Sequence, residues 1–205
     1  MGRAKALLPV GSEVMLQRVV RILATHARPI AVVAAADQEL PDLAETWQHA
    51  HLPHSDDMAT GPSILIARDP VEYRGPLAGL AVGMTQLKGQ ADLVYASACD
   101  APLLKPAFIR AMIDALGDAE IAVPFDGRYH HPLAAVYRLS VLPVIEKLLA
   151  ADRLRPVFLF EECRTREVLV DDLRRIDPQL DSLCNTNTPE ENERALARVA
   201  AEESR

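Results

Sequence analysis

The sequence predicts a doubly wound, mostly parallel α/β sheet, on three observations. Short apolar segments alternate with segments of helical period along most of the chain, the habit of successive βαβ units. The run at 93–98 shows no apolar/polar alternation, so it reads as a strand buried on both faces, as in parallel sheets. Pro76 and Pro106 each open a helical pattern after an apolar run, where fixed φ and a missing N–H suit the first turn. With 205 residues, no internal repeat and no low-complexity linker, one domain spanning 1–205 is expected.

Taken in order, the elements follow from local chemistry. A helix is expected from Glu13, capped by Ser12, with Leu16, Val19, Val20 and Leu23 in one stripe. Pro29 opens a strand over 30–36, and the polar stretch 37–54 carries a short helix around Trp47 before a loop through Asp56 and Asp57. The strand 63–67 precedes Arg68, Asp69 and Pro70, then a helix from Pro76 bears Leu77, Leu80, Ala81, Met84 and Leu87. The strand at 93–98 must stop before Pro102, which cannot donate to a ladder. The helix from Pro106 buries Phe108, Ile109, Met112, Ile113 and Leu116. Strands at 121–124 and 131–137 flank an Asp126–Gly127 turn. Ser140 caps a helix carrying Ile145, Leu148 and Leu149, and a short strand follows at 168–170. The last helix has Thr188 as N-cap, Pro189 in its first turn and Glu191 completing a capping box.

Composition narrows the functional classes. A net charge of −7 without a Lys/Arg cluster excludes a general nucleic-acid binder, so phosphorylated substrates would need a local basic site or a metal. Cys99, Cys163 and Cys184 form neither a CxxC pair nor a zinc spacing, and reduced thiols are expected. No stretch has the length of a membrane span or the apolar core of a signal peptide, so a soluble, cytoplasmic protein is expected.

Asp100 is the residue around which a site would form. It ends the strand at 93–98, and ligands of open α/β sheets bind at the carboxyl ends of strands. A carboxylate there can hold a divalent cation or accept hydrogen bonds from a ligand; it can equally serve as a turn or cap residue. Asp69 follows the strand at 63–67 in the equivalent place. Between them, GPLAG (Gly75, Pro76, Leu77, Ala78, Gly79) offers close backbone approach and a helix N-terminus, which suits phosphate, or simply makes a tight turn. Lys5, near Gly2, can neutralise a triphosphate as a point charge or stand as a solvated lysine. His49, His51 and His54 have no carboxylate partner at helical spacing and make a weak metal cluster. His130 and His131, and Asn185 and Asn187 before the last helix, are polar clusters at element ends suited to hydrogen-bonding a ligand.

MGRAKALLP, RGPLAG, ACDAPLL, HPLAAVYR and NTNTPEE occur in an order and at intervals that resemble the molybdenum cofactor guanylyltransferases, the MobA-like nucleotidyltransferases. The likeness covers essentially the whole chain and implies a Rossmann-like sheet of the nucleotide-diphospho-sugar transferase type. It implies transfer of GMP from GTP to molybdopterin with release of pyrophosphate. Lys5 and Asp100 would be the catalytic pair, with Gly2, Asp69, Gly75, Pro76 and Leu77 joining them around the nucleotide. Asp100 would hold the Mg²⁺, and His131, Asn185 and Asn187 would lie on the molybdopterin side. Expected partners are GTP, molybdopterin, other proteins of cofactor assembly and acceptor molybdoenzymes, with no nucleic acid and no membrane.

The chain departs from that family twice. The family precedes MGxxK with a strand and a glycine-rich loop of the form LAGGxSxR, whereas this sequence begins at the Met of MGRAK. A start placed too late is the expectation. Without that central strand, apolar surface would be exposed and neighbouring ladder groups left unpaired. Where the family often has a base-reading Asn, this chain has Ala34, Ala35, Ala36 and Asp37. GPLAG favours the guanylyl branch. The alternatives are a CTP-dependent cytidylyltransferase, another nucleotidyltransferase of the same fold, or an inactive nucleotide- or molybdopterin-binding protein.

Overall fold

A computed structural model of the chain describes residues 4–43, 63–69, 74–186 and 188–203. A tight turn at Lys5–Leu7 leads into a small antiparallel hairpin of β1 (Pro9–Val10) and β2 (Glu13–Val14). Its turn passes through Gly11 at φ 63°, a left-handed conformation that carries no Cβ penalty in glycine. This hairpin removes Glu13 from the helix expected to begin there. Helix α1 (Met15–Leu23) starts after Val14, whose N–H donates to Gln17 Oε1 at 3.0 Å, so Ser12 is not its cap. The Glu13 carboxylate is held by Arg18 and Arg21.

The mixed α/β class is as expected, but the sheet is in two pieces. Strand β3 (Ile30–Ala35) pairs in parallel with β4 (Ile64–Asp69), which runs on through Arg68 to Asp69 because the ladder with β3 continues to its end. After α2 (Pro76–Gln86) comes β5 (Leu93–Ser97), then α3 (Pro106–Leu116), β6 (Ile121–Phe125) and β7 (Ala134–Arg138). Helices α4 (Leu142–Ala150) and α5 (Val157–Glu162) precede β8 (Thr165–Leu169), followed by α6 (Val170–Leu173) and α7 (Pro189–Glu203). The larger sheet has the order β5–β7–β6–β8, with β7 antiparallel to both neighbours and β6 parallel to β8.

The larger sheet is covered on both faces, which is what the apolar runs require. Ile121, Val123, Ala135 and Tyr137 pack on one face against Leu77, Ala81 and Met84 of α2, Ile145 and Leu148 of α4, and Leu159 of α5. Ala122, Ala134 and Val136 face the other way, onto Phe108, Met112 and Leu116 of α3. On the smaller sheet, α1 packs Val19, Val20 and Leu23 with Ile30 and Val32, alongside Ile109 of α3. The hairpin β1–β2 and α7 close a further cluster of Val10, Met15, Leu103, Ala195 and Val199. That cluster sets the last helix against the loop that follows β5.

Between β3 and β5 lies a slot. Among the described residues, no strand pairs with β3 on the side away from β4, or with β5 on the side away from β7. Consecutive residues of both strands line a cavity of about 840 Å³ there, with Leu16, Val19, Val20 and Leu23 of α1 and Gly79, Leu80, Gly83 and Met84 of α2 also on its wall. This corrects the reading of 93–98 as a strand buried on both faces in parallel pairing. β5 ends at Ser97, pairs antiparallel with β7, and opens onto the slot, leaving Leu93 exposed and Val94 and Tyr95 half-buried.

Other boundaries shift for local reasons. The strand expected at 131–137 begins only at Ala134, because His131–Leu133 form a turn: the His131 N–H donates to the Pro124 carbonyl and the Ala134 N–H to the His131 carbonyl. Ser140 lies in the tight turn Leu139–Val141 and gives no cap bond, so α4 starts one turn later. The strand expected at 168–170 is β8, ended by the start of α6 at Val170. Thr188 and Glu191 do form the reciprocal capping box, at 3.2 and 2.9 Å. The helix expected around Trp47, with His49, His51 and His54, lies outside the described residues. No described helix is long and apolar enough to cross a membrane.

Candidate functional site

Asp100 sits in the turn after β5, 8% exposed, and its Oδ2 accepts a hydrogen bond from Lys5 Nζ at 2.7 Å. The sequence singled out both residues, and the structure brings them together across 95 positions of chain. The Lys5 ammonium keeps about a third of its side chain in solvent, so an incoming anion can reach it. A carboxylate suited to a hard cation and a flexible ammonium suited to phosphate therefore share one place.

Three further contacts hold the Asp100 loop. Arg18, 6% exposed in α1, donates from Nε to the Pro102 carbonyl at 2.7 Å. The Thr186 N–H donates to the Asp100 carbonyl at 3.0 Å, and the Leu104 N–H closes a turn onto the Ala101 carbonyl. Arg18 and Thr186 escape a reading of the sequence. An arginine within an apolar helical stripe resembles a solvated charge, and its target carbonyl lies 84 positions away.

Asp69 ends β4, opposite Ala35 in the parallel register, and lines the same cavity as Gly75, Pro76 and Asp100. Gly75 is the N-cap of α2 at φ 77°, a conformation that a side chain would strain, and Pro76 takes the first helical position. The N-terminus of α2 thus faces the cavity as an anion-favouring end. The Leu77 side chain is 1% exposed and packed in the core, so what it offers a ligand is its backbone. Arg74 anchors this loop, donating to the Leu149 carbonyl at 2.9 Å and pairing with Asp152.

At the carboxyl end of β3, Arg68 donates to the carbonyls of Ala35 and Gln38 at 3.0 and 2.6 Å, while the Ala35 N–H donates to Gln38 Oε1. Ala36 and Asp37, which follow β3, are exposed. Cys99 is no thiolate: burial and the Asp100 charge push its thiol up, partly offset by Lys5.

His131 lies in the turn between β6 and β7, half-buried, with Nε2 3.9 Å from Asp126. Burial holds its imidazole below the ordinary range; Asp126 pulls upward and His130 downward. The same turn reaches the site, since the Ala98 N–H donates to the Leu133 carbonyl. Asn185 is exposed and immediately precedes Thr186, so it stands beside the Asp100 loop. Gly2 and Asn187 lie outside the described residues.

Among the described residues, no three His, Cys, Asp or Glu side chains gather to hold a metal. The donor set still suits Mg²⁺, which is ordinarily bound by one or two carboxylates and completed by substrate phosphates and water. Asp100 and Asp69 on one cavity provide that kind of oxygen donor.

Residues 1–166 match the family model of the MobA-like NTP transferase domain. A molybdenum cofactor guanylyltransferase from Desulfosudis oleivorans is 34% identical over 142 residues, 69% of each chain. A probable molybdenum cofactor guanylyltransferase from Mycobacterium avium is 31% identical over 207 residues, covering 98% of this chain and 90% of that protein. Among solved structures, molybdopterin-guanine dinucleotide biosynthesis protein A from Archaeoglobus fulgidus superposes with a TM-score of 0.70 at 18% identity, over 98% of this chain and 92% of that one.

Proposed function

The chain belongs to the MobA-like NTP transferase family, and from that premise we propose that it is a molybdenum cofactor guanylyltransferase. It takes GTP and molybdopterin, joins GMP to the terminal phosphate of molybdopterin, and releases pyrophosphate. The observation that carries this reading is the Lys5–Asp100 pair at the end of β5, on a cavity shared by Asp100 with Asp69 and the N-terminus of α2. The relatives' names supply the substrates.

The chemistry asks for positioning and charge neutralisation rather than a general base. A phosphate oxygen of the acceptor, already anionic, forms the new bond to the α-phosphorus; the α–β bond breaks, and pyrophosphate leaves with the electron pair. Lys5 offsets charge on the triphosphate, and the backbone of Gly75 to Leu77 approaches the nucleotide together with Asp69; Gly2, assigned to the nucleotide by the resemblance, lies outside the described residues. Asp100 would hold a divalent cation, Mg²⁺ in this reading, which would supply charge neutralisation at the phosphates. His131 and Asn185 are assigned to the molybdopterin side, as the resemblance also assigns Asn187, which lies outside the described residues. The reading takes 1–205 as one domain.

Completion of the sheet belongs to the same proposal. The slot between β3 and β5 offers two edges with no pairing strand among the described residues, and apolar walls, and Lys5 reaches Asp100 at one end of it. An extended apolar segment filling the slot and leaving it there would lead directly to Lys5, and its following turn would add backbone N–H groups beside the phosphates.

The test is pyrophosphate release with molybdopterin and Mg²⁺ present, from GTP and from CTP, by the chain with and without an added slot-filling strand. Release from GTP at least about tenfold faster than from CTP is expected. Equal or faster release from CTP overturns the guanylyl assignment, and release from neither overturns nucleotidyl transfer.

A further inference from the structure

We infer that an ion cluster behind the site, in which partly exposed Lys105 and Arg198 hold the buried carboxylates of Asp177 and Asp181, is a positioning device that sets the segment 182–186 in register with Asp100. The inference rests on the function proposed above. Lys105 follows the Asp100 loop directly, and its Nζ reaches Asp177 Oδ1 at 2.7 Å and Asp181 Oδ2 at 2.9 Å. Asp177 is 0% exposed and Asp181 2% exposed. Arg198 of α7 grips Asp181 with both terminal nitrogens, at 2.5 and 2.6 Å, and also donates to Gln179. Two carboxylates thus face one ammonium and one guanidinium, with no net charge left over.

Stability alone does not call for this arrangement, because an apolar set of the same volume stabilises a fold as well or better than buried ion pairs. What the ions add is direction. Asp177 Oδ2 accepts the Ser182 N–H at 2.8 Å, and Ser182 Oγ accepts the Lys105 N–H at 3.1 Å. Four residues on, the Thr186 N–H donates to the Asp100 carbonyl. The segment is therefore tied at both ends to the stretch 100–105, and Asn185 lies between the ties with its side chain in solvent. Burial pushes the Asp177 carboxyl up, but hydrogen bonds from Lys105 and Ser182 outweigh it and hold the group below its usual range. Burial likewise pushes Lys105 down, and its hydrogen bonds to Asp177 and Asp181 more than restore it. Both ends of the pair are thus charged at neutral pH.

The cluster acts through Asn185 and the Asp100 loop, so its loss is read at the acceptor side. Asp181→Asn keeps the shape and removes the charge; Arg198→Lys keeps the charge and loses the fork, and serves as the second variant if the first does not fold. Asp181→Asn is expected to raise KM for molybdopterin about tenfold while KM for GTP stays within about twofold. Amide exchange at Thr186 rises by about tenfold in the same variant while that of α2 is unchanged, and Arg198→Lys, which loses only the fork, shows both effects in the same direction at about threefold. A uniform rise in exchange with a loss in kcat alone, or no change at Thr186, overturns the inference. If the chain shows no GTP-dependent turnover with or without the added slot-filling strand, the proposed function fails, and the exchange at Thr186 still decides the positioning role separately.

Discussion

Asp100→Ala lowers pyrophosphate release from GTP by about a thousandfold, the loss expected when a group that fixes a catalytic cation is removed. The fold survives the change. Asp100 is buried as a side chain but pairs with a partly exposed lysine, and its backbone carbonyl, which Thr186 needs, is retained. Loss of the pair costs about 1–2 kcal/mol, because the Asp100 charge is removed with its side chain and Lys5 already keeps a third of its side chain in solvent. Circular dichroism and the melting midpoint separate the two effects: a melt close to the parent's with lost turnover places Asp100 in the reaction. A variant that keeps near-normal turnover removes Asp100 from the cation site. One that melts far below the parent makes Asp100 a structural residue.

Filling the slot has the second-largest expected effect. Six extended apolar residues followed by a glycine-rich turn, appended ahead of Met1, would pair with the edges of β3 and β5 that line the slot and bury side chains against α1 and α2. Burying even two large apolar side chains contributes roughly 3–6 kcal/mol. For a chain of this size that corresponds to a rise in melting midpoint of roughly 10 °C. Binding of a hydrophobic dye at the slot falls in parallel, and pyrophosphate release rises because the appended turn adds N–H donors at the phosphates. An appended chain with the same melt, the same dye binding and the same rate would show that the slot is not a place for a strand.

The sequence and the structure agree where one local rule decides the outcome. The helix starts at Pro76 and Pro106 and the Thr188–Glu191 box depend on residues within one turn, and all three stand where the pattern puts them. The core stripes of α1 and α3 are equally plain, because helical spacing is a property of the sequence itself. The pattern fails where distant pairing decides. Glu13 reads as a helix start but is drawn into a hairpin and onto Arg18 and Arg21. The strand β5 reads as buried on both faces in parallel pairing, yet it pairs antiparallel with β7 and leaves Leu93 exposed, and no rule of alternation can see which strand will be the neighbour.

The site divides in the same way. Asp100, Asp69, Gly75 and Pro76 were legible because strand ends and helix starts of an α/β sheet announce themselves. Leu77 can offer a helix-end backbone to a ligand while its own side chain is buried in the core. Arg18, Arg74 and Thr186 were not legible, because each acts through a main-chain contact with a residue remote in sequence. The ion cluster at Lys105 was hidden for the same reason: four ordinary surface-type residues become one network only when α7 folds back on the Asp100 loop.

The most direct measurement is the mass of the acceptor after incubation of the chain, carrying its slot-filling strand, with GTP, Mg²⁺ and molybdopterin. The account predicts molybdopterin heavier by one GMP unit, formed in step with pyrophosphate and absent with Asp100→Ala. Unmodified molybdopterin, or GTP consumed without transfer to it, would contradict the account.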